Sequence, residues 1–486
     1  MSEALGHAEP EKVDLTTCDR EPIQFLGQVQ GFGCLIAVSS DWMILHASRN
    51  CADILGLEIK ELIGARFVDF FPRETVHALR TRLQALVHED AAARVYGLDL
   101  FGDGRLVDVS IHRSGRSVVF EFEMQAKRRA SRDDAGVVQT LMARVRAKSG
   151  TDAFLPEAAR CLRALVGMDR VMVYRFDEDG SGVVVAEAVN GALEPYLGLR
   201  YPASDIPKQA RALYRRSPFR IIADVDGPTF AVEPQRNAAG EPFDLSLAVT
   251  RSVSPIHLEY LRNMGVGASM SASILRRGEL WGLFACHHRE AFHLDFERRS
   301  AVELFVQLFN YELAQAEMDR EIEDLEKAQR FHDRIMSRMS GGETLIDGFE
   351  TFAEEIAEVI PADGIAVYTN DRYQADGSAP TEEEFLRLAR FLNTAQTSEI
   401  LSIDRLEGRY DGAAELADRV AGLLAVPISR TPRDYLVLFR REIAQSVTWA
   451  GDPEKPVELG PNGARLTPRK SFEAWREVVR GKSAPW

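Results

Sequence analysis

A long run of helical spacing near the middle of the chain restricts the possible architectures more than any other feature. From about residue 298, apolar residues such as Leu308, Tyr311, Met318, Ile322 and Leu325 step by threes and fours for roughly forty residues. The charged residues between them, in "EMDREIEDLEK", indicate a solvated face. A helix this long would extend beyond one domain. We therefore expect it to link two domains and to pair with its copy in a homodimer.

Strand patterns lie on both sides of this helix. "FGCLIAVSSDWMILHA" predicts two strands around a turn, and "GRLVDVSIHRSG" and "RSVVFEFEMQ" alternate with period two. "DRVMVYRFDEDGSGVVVAEA" and "GASMSASILRRGELWGLFACHH" predict hairpins, whereas "GIAVYTN" and "LLAVPIS" predict buried strands after the helix. The sequence therefore predicts an α+β fold with three sensor-type domains, each an antiparallel sheet flanked by helices. The expected parts are an N-terminal segment 1–20, domains at 21–125, 138–312 and 343–486, and a connecting helix at 313–342.

Two segments have unusual patterns. The connection at 190–260, inside the second domain, is too long to be a passive loop, and such loops usually carry function. The segment 440–475 contains several prolines and glycines yet ends in aromatic and apolar residues. Its composition is awkward for a stable strand or helix, so we expect a protruding arm.

Composition excludes several classes of protein. The 486 residues carry a formal net charge of −15, which disfavours binding to nucleic acid or to anionic lipid. No apolar run reaches the ~18 residues of a membrane span, and the first residues do not resemble a secretory signal. The five cysteines form no closely spaced pair, which disfavours a disulfide framework or a zinc site and favours the cytoplasm.

The first candidate site lies in "RYPASDIPKQARALYRRSPFR". Pro202 and Pro207 restrict the backbone on both sides of Asp205. One interpretation is structural: Ser204 or Asp205 caps a helix that has Pro207 in its first turn. We expect this cap to hold as well as a functional role, because it would keep a carboxylate and several backbone groups rigid at the start of the helix.

The second candidate site lies in "TRSVSPIHLEYLRNMGVGASMSAS". Ser269 and Ser271 alternate on one face of a predicted strand, after Arg251 and His257. A half-buried strand with a satisfied histidine explains this pattern equally well. Alternatively, the two serines act with Arg220 and Arg251 to bind carboxylates, for which the planar guanidinium is well suited.

The third candidate site is "LWGLFACHH", where His287 and His288 end an apolar strand and must point to opposite faces. A buried histidine at a strand end is more often structural than a ligand contact, although one that faces a cavity can bind a polar group. Together the three stretches predict a pocket for a large, planar, unsaturated molecule with two carboxylates, lined by Tyr174, Tyr201, Tyr214, Tyr260 and Met264. We identify no catalytic triad, no metal site and no phosphate loop.

These residues resemble the photosensory module of bacteriophytochromes. The matching stretches are "DREPIQFLGQVQGFGCLIAV", "YPASDIP", "SPIHLEYLRNMGVGASMS", "LWGLFACHH" and "PRKSFEAW". The order PAS, GAF and PHY would cover essentially the whole chain. The resemblance implies a red/far-red photoreceptor that binds biliverdin IXα, undergoes Z/E isomerisation beside the D-ring, and signals to an output domain or response regulator. It implies no enzymatic activity in this chain.

The resemblance also assigns roles to particular residues. Cys18 stands where these proteins form a thioether with biliverdin, and Ile256 occupies the position at which plant and cyanobacterial relatives carry the attachment cysteine. The other implied contacts are Asp205 and His257 with the pyrrole nitrogens, Arg220, Arg251, Tyr214, Ser269 and Ser271 with the propionates, His287 with the D-ring carbonyl, and Tyr174, Tyr201, Tyr260, Ile206, Pro207 and Met264 around the ligand.

Three further features follow from the resemblance. The arm at about 440–473 would be the PHY tongue, in which Arg469 pairs with Asp205 and Ser471 replaces it when the tongue refolds from hairpin to helix. The N-terminal segment would thread the loop around 225–245 in a figure-of-eight knot. One departure is Gly31-Phe32, where the family usually has Pro-His.

Two other classes of protein remain possible from the sequence. A PAS-GAF protein that senses a cyclic nucleotide or haem would share the folds, because these folds bind many ligands. It would need neither Cys18 nor the tongue. An enzyme is the other alternative, but no kinase or cyclase motif is present in the 486 residues.

Overall fold

The structure describes most of the chain from residue 22 onward. In the computed structural model, the described residues are 22–86, 88, 90–125, 133–191, 193–237, 239–342, 344–394, 400–429, 434–443, 445–450, 474–479, 481–484 and 486. The chain divides into two compact units, Met1–Ala316 with Trp449–Trp475 and Glu317–Thr448 with Arg476–Trp486.

The strands are β1 Gln28–Gln30, β2 Cys34–Val38, β3 Ile44–Ser48, β4 Ala92–Asp99, β5 Leu106–Ser114, β6 Ser117–Met124, β7 Arg170–Phe176, β8 Gly182–Val189, β9 Arg200–Tyr201, β10 Phe219–Ile222, β11 Thr229–Glu233, β12 Ala268–Arg276, β13 Glu279–His288, β14 Gly364–Thr369, β15 Arg372–Gly377, β16 Leu401–Ile403, β17 Gly422–Pro427, β18 Tyr435–Arg440, β19 Gln445–Ala450 and β20 Ala474–Val479.

The helices are α1 Cys51–Leu55, α2 Ile59–Leu62, α3 Arg73–Gln84, α4 Asp134–Arg146, α5 Phe154–Val166, α6 Lys208–Arg216, α7 Pro255–Asn263, α8 Phe296–Ser340, α9 Phe349–Val359, α10 Glu382–Thr394 and α11 Ala413–Leu416. Short 3₁₀ turns occur at Ile23–Phe25, Phe67–Asp69 and Ala203–Asp205.

The first sheet has the order β1-β11-β3-β2-β6-β5-β4, and its neighbouring strands are antiparallel. Strand β11 comes from the long connection of the second domain, where Val29 lies opposite Phe230 and Val232 lies opposite Ser48. The connection therefore builds structure in the neighbouring sheet, which explains its length. The expected knot depends on the N-terminal segment 1–20, which lies outside the described residues, and it stays a prediction.

The second sheet carries the candidate site. Its order runs β10-β12-β13-β7-β8-β9, and the pairs of these strands are antiparallel. One face packs against α4, α5 and the first turns of α8 in a core that contains Val173, Met270, Phe284 and Phe305. Helices cover this face, so the opposite face is the one available to a ligand.

Phe32, the unusual residue of the first domain, packs at the start of α8. Its ring centre lies 5.1 Å from that of His293, and the Arg299 guanidinium lies 5.6 Å from the Phe32 ring. Glu123 on β6 forms a buried ion pair with Arg299, and its carboxylate lies 3.3 Å from Nε2 of the partly exposed His293. The Gly31-Phe32 departure therefore affects the junction between the first sheet and the long helix.

The second unit contains a sheet with the order β15-β14-β18-β17-β16, again antiparallel. One face packs against α10 through residues such as Phe385 and Leu388, and the other packs against α9 through Phe349 and Ile356. The α+β class, the antiparallel sheets and the long helix are thus confirmed. The domain boundaries stay predictions. The expectation that 440–475 avoids regular strands is wrong at both ends, because β19 and β20 lie there.

Candidate functional site

Polar side chains line the face of the second sheet that lies opposite the helices. Strand alternation places Met270, Ala272 and Phe284 in the core, so Ser269, Ser271 and His287 face the other way. Ser271 lies directly opposite Arg220 on β10, and Ser269 lies opposite His287 on β13. Directly paired residues share a face. The structure thus brings together four side chains from three strands, β10, β12 and β13.

An aromatic cluster continues this surface toward β8 and β9. The ring centre of Tyr174 lies 5.8 Å from that of Tyr201 and 5.2 Å from that of Phe176. Tyr174 and Tyr201 are both buried. The partly buried residues that pack against this cluster include Ile206, Tyr214 and Met264. Five of the predicted pocket residues therefore belong to one apolar cluster.

Asp205 holds a position different from the one that the helix-cap interpretation predicts. Helix α6 begins at Lys208, after Pro207, and no side chain makes a capping hydrogen bond. The prediction that Ser204 or Asp205 caps this helix is wrong, because Ala203–Asp205 form a 3₁₀ turn before it. The Tyr260 hydroxyl donates instead to the Asp205 carboxylate at 3.0 Å.

His257 and Tyr260 reach the site from one helix. The Ser254 hydroxyl oxygen accepts the amide of Ile256 at 3.3 Å, and Pro255 stands in the first turn of α7. The rings of His257 and Tyr260 stack with centres 6.0 Å apart. The capped start of α7 therefore fixes which side chains face the sheet.

Both site histidines are held neutral. Burial lowers the pKa of His257 to about 4, and Arg220 adds to this effect. Burial, with Arg170 and His257 nearby, lowers the pKa of His287 to about 3. A neutral imidazole has one N–H donor and one acceptor nitrogen, so each ring can bond to a donor or to an acceptor of a ligand.

The two predicted carboxylate-binding arginines both contact main-chain carbonyls. Arg220 donates to the carbonyl oxygens of Ala248, Val249, Arg251 and Ser252, the last at 2.7 Å. Arg251 donates to the carbonyl of Ile23 at 2.8 Å. Burial lowers the pKa of Arg251 to about 10. Burial and the charge of Arg251 lower the pKa of Arg220 well below its usual range.

Several buried polar atoms at the site have no hydrogen-bond partner among the described residues, including Tyr201 Oη, His287 Nδ1 and Arg251 Nε. Their residues are 5%, 8% and 5% exposed. Burial also raises the pKa of Tyr201, so its hydroxyl stays protonated. Buried polar groups are almost always paired in native proteins, and unpaired ones are costly. These atoms are therefore well suited to bind polar groups of a ligand.

Sequence reasoning missed one charged group on this face. Arg170 lies directly opposite His287, is buried, and has its guanidinium carbon 3.7 Å from the centre of the Tyr196 ring. The alternation of Arg170 with Met172 and Tyr174 in "DRVMVYRF" could have revealed that the three share a face.

Two residues of the predicted tongue join the site within the first unit. Trp449 pairs in parallel with Arg200, and Ala450 is buried in the cluster that contains Tyr174 and Tyr201. Cys18, Arg469 and Ser471 lie outside the described residues, so their roles stay predictions.

The described part of the chain lacks two features, a metal-binding cluster and a membrane-spanning helix. It contains no group of three or more histidine, cysteine or acidic residues arranged to hold a metal ion. Within the same residues, no helix combines the length and apolarity needed to span a bilayer.

The fold and site define a multidomain sensory protein whose middle domain offers an aromatic pocket with neutral histidines. Three family models match in order: the PAS fold over residues 18–125, the GAF domain over 151–316 and the phytochrome region over 328–486. Solved structures agree. A bacteriophytochrome from the photosynthetic bacterium R. palustris superimposes with TM-score 0.85 at 34% identity, covering 97% of this chain and 95% of that one. The photosensory core module of Stigmatella aurantiaca phytochrome gives TM-score 0.81 at 35% identity, covering 98% and 95%.

Curated relatives identify the same family. A bacteriophytochrome of Xanthomonas campestris pv. campestris is 33% identical over 98% of this chain and 76% of its own length. A bacteriophytochrome of Pseudomonas aeruginosa and cyanobacterial phytochrome B of Nostoc are each 36% identical over 98% of this chain. The chain spans 64% of the length of these two relatives. The chain belongs to the phytochrome family and contains that family's PAS, GAF and PHY regions, which confirms the predicted resemblance.

Proposed function

We propose that this chain is the photosensory module of a red/far-red light receptor that binds biliverdin IXα covalently. Family membership supports a bilin, and the pocket supports a ligand of that shape and polarity. The observation that carries the proposal is a set of unpaired buried atoms: Tyr201 Oη in the aromatic cluster, His287 Nδ1 on the face of the same sheet opposite the helices, and Arg251 Nε next to Arg220. A small ligand would leave most of this surface uncovered, whereas a linear tetrapyrrole has both the area and the polar groups.

The pocket residues fit the ends of such a ligand. A bilin would supply light absorption and Z/E isomerisation beside its D-ring. Tyr174 and Tyr201 form an apolar wall for that ring, and His287 offers its unpaired Nδ1 to the ring carbonyl when that nitrogen carries the proton. Ser269 and Ser271 face the same surface for the propionates. Arg220 would exchange carbonyl partners for a propionate, whose negative charge would offset the cost of burying the guanidinium.

We infer that signalling passes through the tongue. Asp205 accepts the Tyr260 hydroxyl beside the pocket, and Arg469 would pair with that carboxylate in the red-absorbing state. Ring rotation would change the contacts at Asp205 and favour the arrangement in which Ser471 replaces Arg469. The output would be an output domain or a response regulator, and the location cytoplasmic.

The proposed attachment is the addition of the Cys18 thiol to a vinyl group. The sulfur forms a bond to one vinyl carbon, the double bond opens, and a proton is taken up at the neighbouring carbon, so no oxidant is needed. Zinc-stained denaturing electrophoresis tests this step. Wild-type protein mixed with biliverdin should give a fluorescent band, Cys18→Ser should give none, and the control Cys161→Ala, at a buried core cysteine, should keep it. A band that persists in Cys18→Ser would refute the assignment.

We further propose that the module forms a homodimer through α8. Met318, Ile322, Leu325, Met336 and Met339 are large apolar side chains that are 42–69% exposed in the described structure. Their successive spacings of four, three, eleven and three residues keep all five on the a and d positions of one heptad register. A second copy of the chain would present the same stripe, so pairing of the two helices would bury both stripes. A second copy is therefore the simplest partner for this surface.

A further inference from the structure

A buried ion pair beside the pocket has no part in the function proposed above. Arg170 Nε lies 3.1 Å from Glu187 Oε1, and each side chain is only 3% exposed. Arg170 is also the direct cross-strand neighbour of His287. Removing two charges from water is costly, and apolar residues of similar volume are often at least as stabilising. A specific structural task would explain why charged residues occupy these positions.

Both partners bind the main chain of the same loop. The Glu187 carboxylate accepts the amide of Tyr196 at 2.9 Å and that of Leu197 at 3.1 Å. Arg170 donates to the carbonyl of Glu194 and stacks its guanidinium on the Tyr196 ring. We name Arg170 and Glu187 together the Arg170 clamp. The clamp therefore holds residues 194–197 through two main-chain amides, which Glu187 accepts, and one main-chain carbonyl, to which Arg170 donates.

This loop leads directly into the wall of the pocket. Gly198 donates to the carbonyl of Val184 at 2.9 Å, and Val184 donates to the carbonyl of Leu199 at 3.1 Å. Tyr201 follows in β9, opposite Gly182. Tyr196, Leu199 and Tyr201 are buried in the cluster that contains Tyr174. A shift of residues 194–197 would therefore move Tyr201.

We propose that Arg170 and Glu187 are positioning residues of the bilin site, which set the position of Tyr201 and so the space left for the ligand's end ring. This inference rests on the proposed function. It requires the planar fork of arginine, because the guanidinium contacts a carboxylate, a carbonyl and an aromatic face together. The single point charge of a lysine makes fewer of these contacts.

Amide hydrogen exchange of the bilin-free full chain tests the clamp by itself. In Glu187→Gln and Arg170→Lys, we expect the amides of Tyr196 and Leu197 to exchange roughly ten- to a hundredfold faster than in wild type, the factor that corresponds to one hydrogen bond to a charged group. Arg175→Gln is the matched control, because Arg175 lies near the other end of the same strand and its side chain is 42% exposed. Its exchange should equal that of wild type. Unchanged exchange in Glu187→Gln and Arg170→Lys would overturn the clamp.

The absorption spectrum after addition of biliverdin tests the effect on the site. We expect Glu187→Gln and Arg170→Lys to give a displaced and broader long-wavelength band, whereas wild type and Arg175→Gln give the same band. Faster exchange with an unaltered band would refute the positioning role. If Arg170→Lys does not fold, Glu187→Gln decides the matter alone. Failure of wild-type protein to take up biliverdin would refute the proposed function instead, and the exchange result would then stand for the clamp only.

Discussion

Gly182→Ala should obstruct the pocket with a single methyl group. A Cβ built on Gly182 lies 2.2 Å from Tyr174 Cζ and 2.3 Å from Tyr174 Oη, far inside contact distance. The buried Tyr174 ring is packed between Phe176 and Tyr201, so the added methyl displaces it toward the ligand space. Overpacking of this kind typically costs about 1–3 kcal/mol. If this cost falls on the bound state, the affinity for biliverdin drops by about 5- to 150-fold.

The assay is equilibrium titration with biliverdin in a Cys18→Ser background, where binding stays reversible, with long-wavelength absorbance as the readout. Gly191→Ala is the matched control, because a Cβ there meets nothing within 4 Å. Thermal unfolding of the bilin-free proteins separates a local effect from general misfolding. Equal affinities in Gly182→Ala, Gly191→Ala and the parent would show that Tyr174 does not border the ligand.

Three further predictions concern the Tyr201 hydroxyl, the two site histidines and the dimer surface of α8. Tyr201→Phe removes a buried hydroxyl that has no partner among the described residues. We therefore expect the bilin-free protein to be equally stable or about 1 kcal/mol more stable, while its affinity for biliverdin falls about tenfold. A fall in both stability and affinity would contradict the assignment of this hydroxyl to the ligand. His257 and His287 have folded pKa values of about 4 and about 3, below the unfolded value of about 6.5, so their stabilising contribution is complete above pH 6.5 and is lost on acidification toward pH 4. At pH 5, each histidine should lower the free energy of unfolding by about 2 kcal/mol. Measured by urea unfolding of the bilin-free protein, the free energy of unfolding should therefore fall from pH 7 to pH 5 by about 4 kcal/mol more in wild type than in the double variant His257→Gln/His287→Gln. Equal losses in the two proteins would refute the buried neutral state. Leu325→Glu, at a side chain 69% exposed, should weaken dimerisation at least about tenfold in sedimentation equilibrium. The surface control Glu323→Lys should leave dimerisation unchanged. A dimer of undiminished stability in Leu325→Glu would place the interface elsewhere.

Periodicity predicted the regular elements well because local spacing controls them. The long helix was expected from about residue 298 and spans Phe296–Ser340, and the hairpins β7–β8 and β12–β13 lie where alternation placed them. The same alternation correctly put Ser269 and Ser271 on one face, because their neighbours Ala268, Met270 and Ala272 are buried in the core.

Long-range contacts were beyond the reach of local patterns. No spacing indicates that Thr229–Glu233 joins the first sheet, or that Tyr260 bonds Asp205 from 55 residues away. The cap prediction at Ser204 and Asp205 failed for this reason: the residue types suit a cap, but the tertiary contact to Tyr260 engages the carboxylate. Arg170 was missed because a charged residue in a buried strand is explained only by its partner Glu187 and the loop at 194–197.

The most direct test of the central claim is reversible photoconversion. Purified protein is mixed with biliverdin in the dark, and its absorption is recorded before and after red and then far-red illumination. We expect a red or far-red absorption band that one colour converts and the other restores over repeated cycles. Well-folded protein that takes up no biliverdin, or a bound pigment that light leaves unchanged, would contradict this claim.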